Sequence, residues 1–305
     1  MSILFSQNNL KNNEIRPQEA DFTEVLCHIA VVPKMLYFYG KMPEKRLKSV
    51  AIVGTRKPTA YGREIAYDLA YKAAEKGAVV VSGLAFGIDS VAHRAALDAG
   101  GITVAVLGTA IDQIYPAAHR GLAEEIIEKG GMVMSEVAPG VRFQWQNEAK
   151  KCFLERNRLI AGLSDMVVIP EAAERSGSLN TAMHALDQGR EIFAAPGDIA
   201  RPMSRGCNRL IAKGGAMPYL GPEDVLGALF PTPRGRKGRK EVQMALMGDN
   251  ETETAILGLI AGGMVDGAEI LAASGLAVSE FGQQMTLLEV KGRVRALGAN
   301  RWALK

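Results

Sequence analysis

Several turns of this chain combine small residues with side chains that can bind an anion. The longest, Ser82–His93, has the sequence SGLAFGIDSVAH and leads into a helical pattern. A glycine-rich turn before a helix binds phosphate through free backbone N–H groups and the positive end of the helix dipole. The same turn could equally be a tight connection in which Asp89 or Ser90 caps the helix, and the pattern alone leaves both interpretations open.

Two further turns have the same character. The turn Arg175–Ser178 offers two hydroxyls and a guanidinium before the helical pattern Asn180–Gln188, and Gly206–Asn208 is the third turn. Several anion-binding turns at the strand ends of one sheet are hard to explain by packing alone. We therefore expect these turns to contact phosphate through Ser82, Gly83, Gly87, Arg175, Ser176, Gly177, Ser178 and Asn208.

A basic segment with an aromatic residue, Lys150–Arg158, has the sequence KKCFLERNR. Lysine and arginine suit a phosphate backbone, and Phe153 could stack on a base. For this segment alone, a solvated helix start with Phe153 in the core is the better interpretation. Together with the turns, it adds candidate DNA contacts at Lys151, Phe153, Arg156, Asn157 and Arg158.

Other kinds of site are not indicated. The turn Gly54–Arg56 departs from G-x-G-x-x-G, and Ser82 follows the second strand where a dinucleotide enzyme has Asp or Glu. The three cysteines, Cys27, Cys152 and Cys207, are far apart and lack C-x-x-C spacing. This spacing argues against zinc sites and disulfides and favours a reducing cytoplasm. We expect no cofactor, no metal and no catalytic group.

The elements that must position these residues form a regular alternation of strand and helix. Six short apolar strands are predicted at Val50–Val53, Ala78–Val81, Ile102–Leu107, Met132–Met134, Met166–Ile169 and Glu191–Ala194. Continuous apolar strands are buried on both faces, which predicts an α/β fold with a Rossmann-like, doubly wound, mostly parallel sheet. Each strand runs into Gly, Ser or Pro within two residues, and such sheets bind ligands at the strand carboxyl ends.

Four segments are predicted along the 305 residues, whose net charge is +3. Residues 1–48 are a short N-terminal extension, polar and frayed over 1–20, and residues 49–228 are the Rossmann-like domain. Residues 229–250 form a basic Pro/Gly linker, which we expect to attract DNA. Residues 251–305 show three helices and a hairpin, which predicts a winged-helix-like domain. Residues 241–305, which include the end of the linker, carry eight acidic and five basic side chains, so this part of the chain is a poor candidate for gripping a duplex.

The order of the motifs resembles the DNA-processing protein A family (DprA, also called Smf) over about residues 30–225. The motifs are VAIVGTR (50–56), SGLAFGIDSVAH (82–93), RNRLIAGLSD (156–165), RSGSLNTA (175–182) and GCNRLI (206–211). The resemblance implies a homodimeric, cytoplasmic protein that is not an enzyme. It implies that this protein binds single-stranded DNA, protects incoming strands and loads the recombinase RecA in natural transformation. We also expect no membrane contact, because the longest apolar runs, such as Ala78–Val81 and Ile102–Leu107, are too short to span a bilayer.

The family's DNA groove, carried over, implies contacts from Gly54, Gly83, Gly87, Gly177, Arg56, Lys151, Phe153, Arg156, Arg158, Arg175, Ser176 and Ser178. This chain departs from the family pattern in three places. Phe86 stands where the family usually has Arg, and Leu154 stands where a proline is usual, with Glu155 beside it adding a negative charge. The N-terminal helical module of many members is missing or reduced to about residues 20–48.

Two alternatives remain for the same fold. Nucleoside-monophosphate phosphoribohydrolases place P-G-G-x-G-T-x-x-E where this chain has RSGSLNTAMH, so that their Glu falls at His184. A neutral imidazole cannot replace a carboxylate at an oxocarbenium-like centre. A nucleotide-sensing module is the third interpretation, and failure to shift a labelled oligonucleotide at low salt would favour it.

Overall fold

The computed structural model describes residues 12–142, 146–231, 248–298 and 300–304, with the backbone alone at 146, 147, 149 and 150. The chain divides into two compact units between Pro231 and Thr232. Most of the predicted basic linker, residues 232–247, lies outside the described residues. Within the described ranges, no helix is long and apolar enough to cross a membrane.

The first unit is built on one large sheet, in which nine strands are described. The strands are β1 (Asn13–Ile15), β2 (Leu36–Gly40), β3 (Ser49–Ile52), β4 (Val79–Ser82), β5 (Thr103–Val106), β6 (Met132–Ser135), β7 (Met166–Ile169), β8 (Glu191–Ala194) and β9 (Met217–Pro218). Their order across the sheet is β1-β2-β6-β5-β4-β3-β7-β8-β9. The pairs β1–β2 and β2–β6 are antiparallel, and every other pair in this order is parallel.

Helices cover both faces of this sheet. They are α1 (Asp21–Glu24), α2 (Ala60–Glu75), α3 (Ile88–Asp98), α4 (Arg120–Glu128), α5 (Gln146–Leu163), α6 (Ser178–Asp187), α7 (Arg205–Ala212) and α8 (Pro222–Leu229). Alternate residues of one strand pack on opposite sides, with Ala51 in the core that contains α5 and α6 residues and Val50 in the core that contains α2 and α3 residues. The predicted doubly wound, mostly parallel α/β sheet is therefore confirmed.

The sheet extends beyond the six predicted strands at both edges. Strand β2 pairs with β6 at Tyr37 and Ser135, and β9 adds a short parallel strand beside β8. The expectation that residues 1–20 are frayed is wrong for Asn13–Ile15, because this segment pairs with β2. Helix α5 begins at Gln146, so the whole basic-aromatic segment Lys150–Arg158 is helical.

The second unit contains α9 (Glu251–Ala261), α10 (Gly267–Ser274), α11 (Val278–Val290) and the hairpin of β10 (Val294–Gly298) and β11 (Arg301–Leu304). The side chains of Asn250 and Asp266 cap α9 and α10 by accepting backbone N–H bonds. Apolar residues of all three helices and of β10 form its core, including Leu257, Ile270 and Leu288. Three helices followed by a hairpin confirm the predicted winged-helix-like domain.

His93 makes the stability of the first unit depend on pH. Its ring is fully buried, and Nδ1 lies 2.7 Å from Oγ1 of Thr103, which itself donates to the carbonyl of Val80. Burial above all, then the charges of His119 and Arg156, lowers the pKa of His93 to about 3. The folded state therefore holds a neutral ring at a pH where the unfolded chain, with a pKa of about 6.5, is already protonated.

We expect the wild type to lose stability as the pH falls below about 6.5, by up to about 1.4 kcal/mol per pH unit from this one proton. Urea unfolding between pH 4.5 and 7.5 measures the effect, with His93→Gln as the comparison. The variant should show a shallower fall over this range. If the free energy of unfolding falls with pH equally in the two proteins, His93 titrates alike in the folded and unfolded states and the prediction is wrong.

Candidate nucleic-acid interface

The site lies where the strand order of the sheet reverses. The chain runs from β3 to β4 on one side and later enters β7 on the other side of β3, so the carboxyl ends of β3 and β7 flank a crevice. The turns that follow β3, β4 and β7 all meet at this edge. We call it the carboxyl edge, and the opposite ends of the same strands the amino edge.

The turns after β3 and β4 touch at backbone distance. Gly87 has a φ of +82°, and a Cβ there would collide with the carbonyl oxygen of Thr55. A Cβ at Gly54 would lie 2.6 Å from Cγ1 of Ile88 and 2.8 Å from the carbonyl oxygen of Glu171. Glycine is thus needed at both positions. The reason is the close packing of the turns against each other, whereas the sequence pattern predicts contact with phosphate. The neighbouring Arg56 is exposed at this edge.

Arg156 is not a surface cation. Its side chain is 6% exposed, and Nη1 donates to the carbonyl oxygens of Gly83, at 3.0 Å, and of Val106. The buried carboxyl of Asp89 accepts from the N–H of Gly83 at 3.1 Å. Burial lowers the pKa of Arg156 to about 10, against the opposing effect of the Asp89 charge. Arg156, predicted as a DNA contact, instead holds the turn after β4 in place.

Four other predicted contacts are also engaged inside the protein. Arg158 forms two bonds to the carboxylate of Glu136, at 2.8 and 2.6 Å, and Asn157 donates to Oδ1 of Asn180 at 3.1 Å. Ser82 is fully buried and donates to the carbonyl oxygen of Ile52 at 2.7 Å. Asn208 lies in α7, because the predicted turn Gly206–Asn208 is helical, and it both accepts from and donates to the backbone of Gly197, at 3.0 and 2.8 Å. These hydrogen bonds hold the turns in place, and Arg158 also lines a cavity of about 570 Å³ together with Glu136 and Asn180.

The turn before α6 does face outward. Arg175 and Gly177 are exposed, and the space where a Cβ of Gly177 would lie is open. Oγ of Ser176 lies 2.7 Å from Oγ of Ser178, the first residue of α6. These hydroxyls and the helix N-terminus lie at the carboxyl edge beside β7, where the sequence places them.

Aromatic side chains lie at the same edge. Phe153, half-buried, packs over the backbone of Gly108 at the end of β5. Its ring centroid is 5.3 Å from that of Tyr115, which is 48% exposed. A second exposed ring, Phe86, packs on His119. Tyr115 and Phe86 are not predicted as contacts by the sequence, although the quoted motifs contain Phe86.

Two kinds of side chain at the carboxyl edge suit a single strand. The exposed cations Arg56, Lys57, Lys151 and Arg175 are the first kind, and the second is the aromatic rings, of which Phe86 and Tyr115 are exposed and Phe153 is half-buried. We call this set the carboxyl-edge surface. Lys151 is the one of these cations that forms a salt bridge within the described residues, to Glu155 at 3.7 Å. The described residues contain no cluster of His, Cys, Asp and Glu that could hold a metal ion.

Known proteins are similar to this chain over most of its length. Residues 13–230 match the family described as DNA recombination-mediator protein A. A putative DNA processing protein DprA of Mycobacterium tuberculosis is 37% identical over 286 residues, 88% of this chain and 72% of that protein. Protein Smf of Escherichia coli is 40% identical over 216 residues, 70% of this chain and 56% of that protein.

Two solved structures share the fold of this chain. The X-ray structure of DNA processing protein A from Streptococcus pneumoniae has a TM-score of 0.64 and 37% identity, covering 71% of this chain and 74% of that one. DNA processing protein A from Helicobacter pylori has a TM-score of 0.63 and 30% identity, covering 72% of this chain and 96% of that one. The latter structure is described as giving insight into that protein's single-stranded DNA binding mode.

Proposed function

The chain belongs to the DNA recombination-mediator protein A family, and on that premise we propose that it binds single-stranded DNA along the carboxyl-edge surface. In this role it protects incoming strands and loads RecA recombinase in natural transformation and recombination. Family membership supports this role, as does the single-stranded DNA binding described for the Helicobacter pylori relative. The same premise supports a homodimer that acts in the cytoplasm.

One observation carries the proposal, namely that exposed rings and exposed cations share the carboxyl edge. Phe153 lies on the same helix as Lys151, and Phe86 lines a groove with Arg56 and Lys57. Proteins that bind single strands combine a positively charged groove with rings on which bases stack. A duplex keeps its bases stacked in its interior, so the rings favour the single strand.

We propose a binding function without catalysis for the same surface. Its carboxylates have structural roles, because Glu171 accepts from the N–H and the hydroxyl of Thr59 at 2.8 and 2.9 Å, and Glu136 pairs with Arg158. At the position of the phosphoribohydrolase Glu, the chain has the half-buried His184. Incubation of the protein with AMP tests this, and release of free adenine would overturn it.

The binding itself is tested with the full-length protein, a fluorescein-labelled dT oligonucleotide and a duplex of equal length. We expect the single strand to bind more tightly at each salt concentration. The slope of log K against log salt should correspond to about −0.7 for each neutralised phosphate. Equal affinity for the duplex, or no binding of the oligonucleotide at low salt, would contradict the proposal.

Glu155 should weaken binding at this surface, because its carboxylate partly neutralises Lys151. We expect Glu155→Gln to bind the oligonucleotide about two- to fivefold more tightly, which corresponds to the 0.3–1 kcal/mol of an exposed pair. The matched control is Glu125→Gln, since Glu125 pairs with Lys129 at the same i,i+4 spacing near the amino edge. An equal gain in both variants would indicate an effect of net charge alone.

A further inference from the structure

The geometry points to Phe86 as a second base-stacking position at the carboxyl edge. We propose that one unpaired nucleobase stacks on its ring, while the adjacent backbone phosphates of the DNA contact the cations beside it. The inference rests on the proposed function and deepens it. It assigns a stacking role to a residue that has no charge to offer a phosphate. It also separates this position from Phe153, which lies on α5 next to Gly108.

Phe86 displays its ring to the solvent from a rigid support. The side chain is 47% exposed, and its centroid lies 4.7 Å from that of His119 at an interplanar angle of 64°. His119 is buried, and its Nδ1 donates to the carbonyl oxygen of Leu84 at 2.8 Å. Because the supporting ring is fixed, the outer face of Phe86 stays available to another flat ring, which is the contact that aromatic pairs favour.

The backbone around Phe86 is also held in an unusual conformation. Leu84 has a φ of +59° although it is not glycine, and Gly87 has a φ of +82°. A positive φ at a residue with a Cβ costs free energy and persists where the surrounding structure enforces it. Here the fully buried side chain of Leu84 and the contact of Gly87 with Thr55 enforce it. The turn therefore presents Phe86 outward as part of a fixed backbone.

The surroundings of Phe86 match the other parts of a nucleotide. A groove of about 540 Å³ is lined by Phe86 together with Arg56, Lys57, Arg63, Gly87 and Ser90. Arg63 donates to the carbonyl oxygen of Pro58 at 2.6 Å, which holds it along the groove wall. Cations beside an exposed ring can bind both parts of one nucleotide in a single strand. The guanidinium or ammonium group contacts the phosphate, and the base stacks on the ring.

The test is a double-mutant cycle between the protein and the DNA. Wild type and Phe86→Leu are titrated with labelled dT and with an oligonucleotide of the same length that carries abasic tetrahydrofuran sites. Leucine keeps the apolar volume and removes the flat ring. We expect the substitution to weaken dT binding by about five- to a hundredfold and to leave binding of the abasic strand unchanged.

Further variants separate stacking from folding and from charge. Phe86→Trp should retain the preference for dT over the abasic strand, whereas Phe86→Arg should reduce it and steepen the salt slope by about 0.7. Tyr67→Leu, at an exposed ring on α2, is the matched control and should behave as wild type. If Phe86→Leu binds dT as wild type does, the inference is wrong while the proposed function stands. If wild type does not bind dT, the proposed function itself fails.

Discussion

Replacing Arg156 by alanine is expected to lower the free energy of unfolding by about 3–5 kcal/mol, the usual cost of leaving a buried charge without its partner. The Arg156 guanidinium is a donor to the carbonyl oxygens of Gly83 and Val106 and the cation that stabilises the buried carboxylate of Asp89. Alanine at this position leaves the two carbonyl oxygens without their donor and the Asp89 carboxylate without its neighbouring cation. Thermal unfolding should show a fall in Tm of roughly 6–20 °C. DNA affinity should fall as well, because the turn after β4 loses its anchor.

The control for Arg156 is an arginine of the same edge that is exposed. Arg56→Ala should keep the Tm of the wild type and weaken DNA binding alone, since its side chain lies on the surface. The pair of variants therefore separates a positioning residue from a contact residue. If Arg156→Ala keeps its Tm and instead reduces the salt slope by about 0.7, Arg156 is a direct phosphate contact, as its sequence motif predicts.

Removing three exposed cations of the carboxyl-edge surface should produce the largest change in DNA affinity. In the triple variant Arg56→Ala, Lys57→Ala, Arg175→Ala, the slope of log K against log salt should become shallower by about 2. Each of the three lost phosphate contacts contributes about 0.7 to this change. At 0.1 M salt this corresponds to a loss on the order of a hundredfold. Fluorescence anisotropy with labelled dT at four salt concentrations measures both quantities. The Tm should stay close to that of the wild type, because the three side chains are exposed.

A triple variant with the same change in net charge controls for long-range attraction. Lys45, Lys48 and Lys76 are exposed and lie near the amino edge, before β3 and β4. Replacing these three by alanine should leave the slope close to that of the wild type. Equal losses in the two triple variants would mean that the charge of the whole protein, and not the carboxyl edge, governs binding.

The strands, and with them the edge that carries the candidate site, could be predicted because burial on two faces leaves a clear sequence pattern. Val50, Ala51 and Ile52 are apolar in succession since each packs into one of two cores. The turn glycines are equally visible in the sequence. Short edge strands such as β1 and β9 leave little pattern, because two or three residues that pair on one side need no periodicity.

The roles of the polar residues could not be predicted in the same way. Arg156 and Arg175 both lie in glycine- and arginine-rich motifs, yet one is buried and bonded to backbone carbonyl oxygens and the other is exposed. Whether an arginine faces inward depends on which carbonyl oxygens lack a donor, and this depends on contacts between distant turns. The same limit applies to Tyr115, whose place beside Phe153 at this edge is visible only in the folded structure.

The central claim, that single-stranded DNA lies across the carboxyl edge of the sheet, is tested most directly by photo-crosslinking. Full-length protein is irradiated with an oligonucleotide that carries 5-iododeoxyuridine, and the modified residues are identified by mass spectrometry. The prediction is crosslinks at Phe86, Tyr115 or Phe153, competed by unlabelled dT and not by duplex. Crosslinks confined to the amino edge of the sheet, or to the unit that holds α9 to β11, would contradict it.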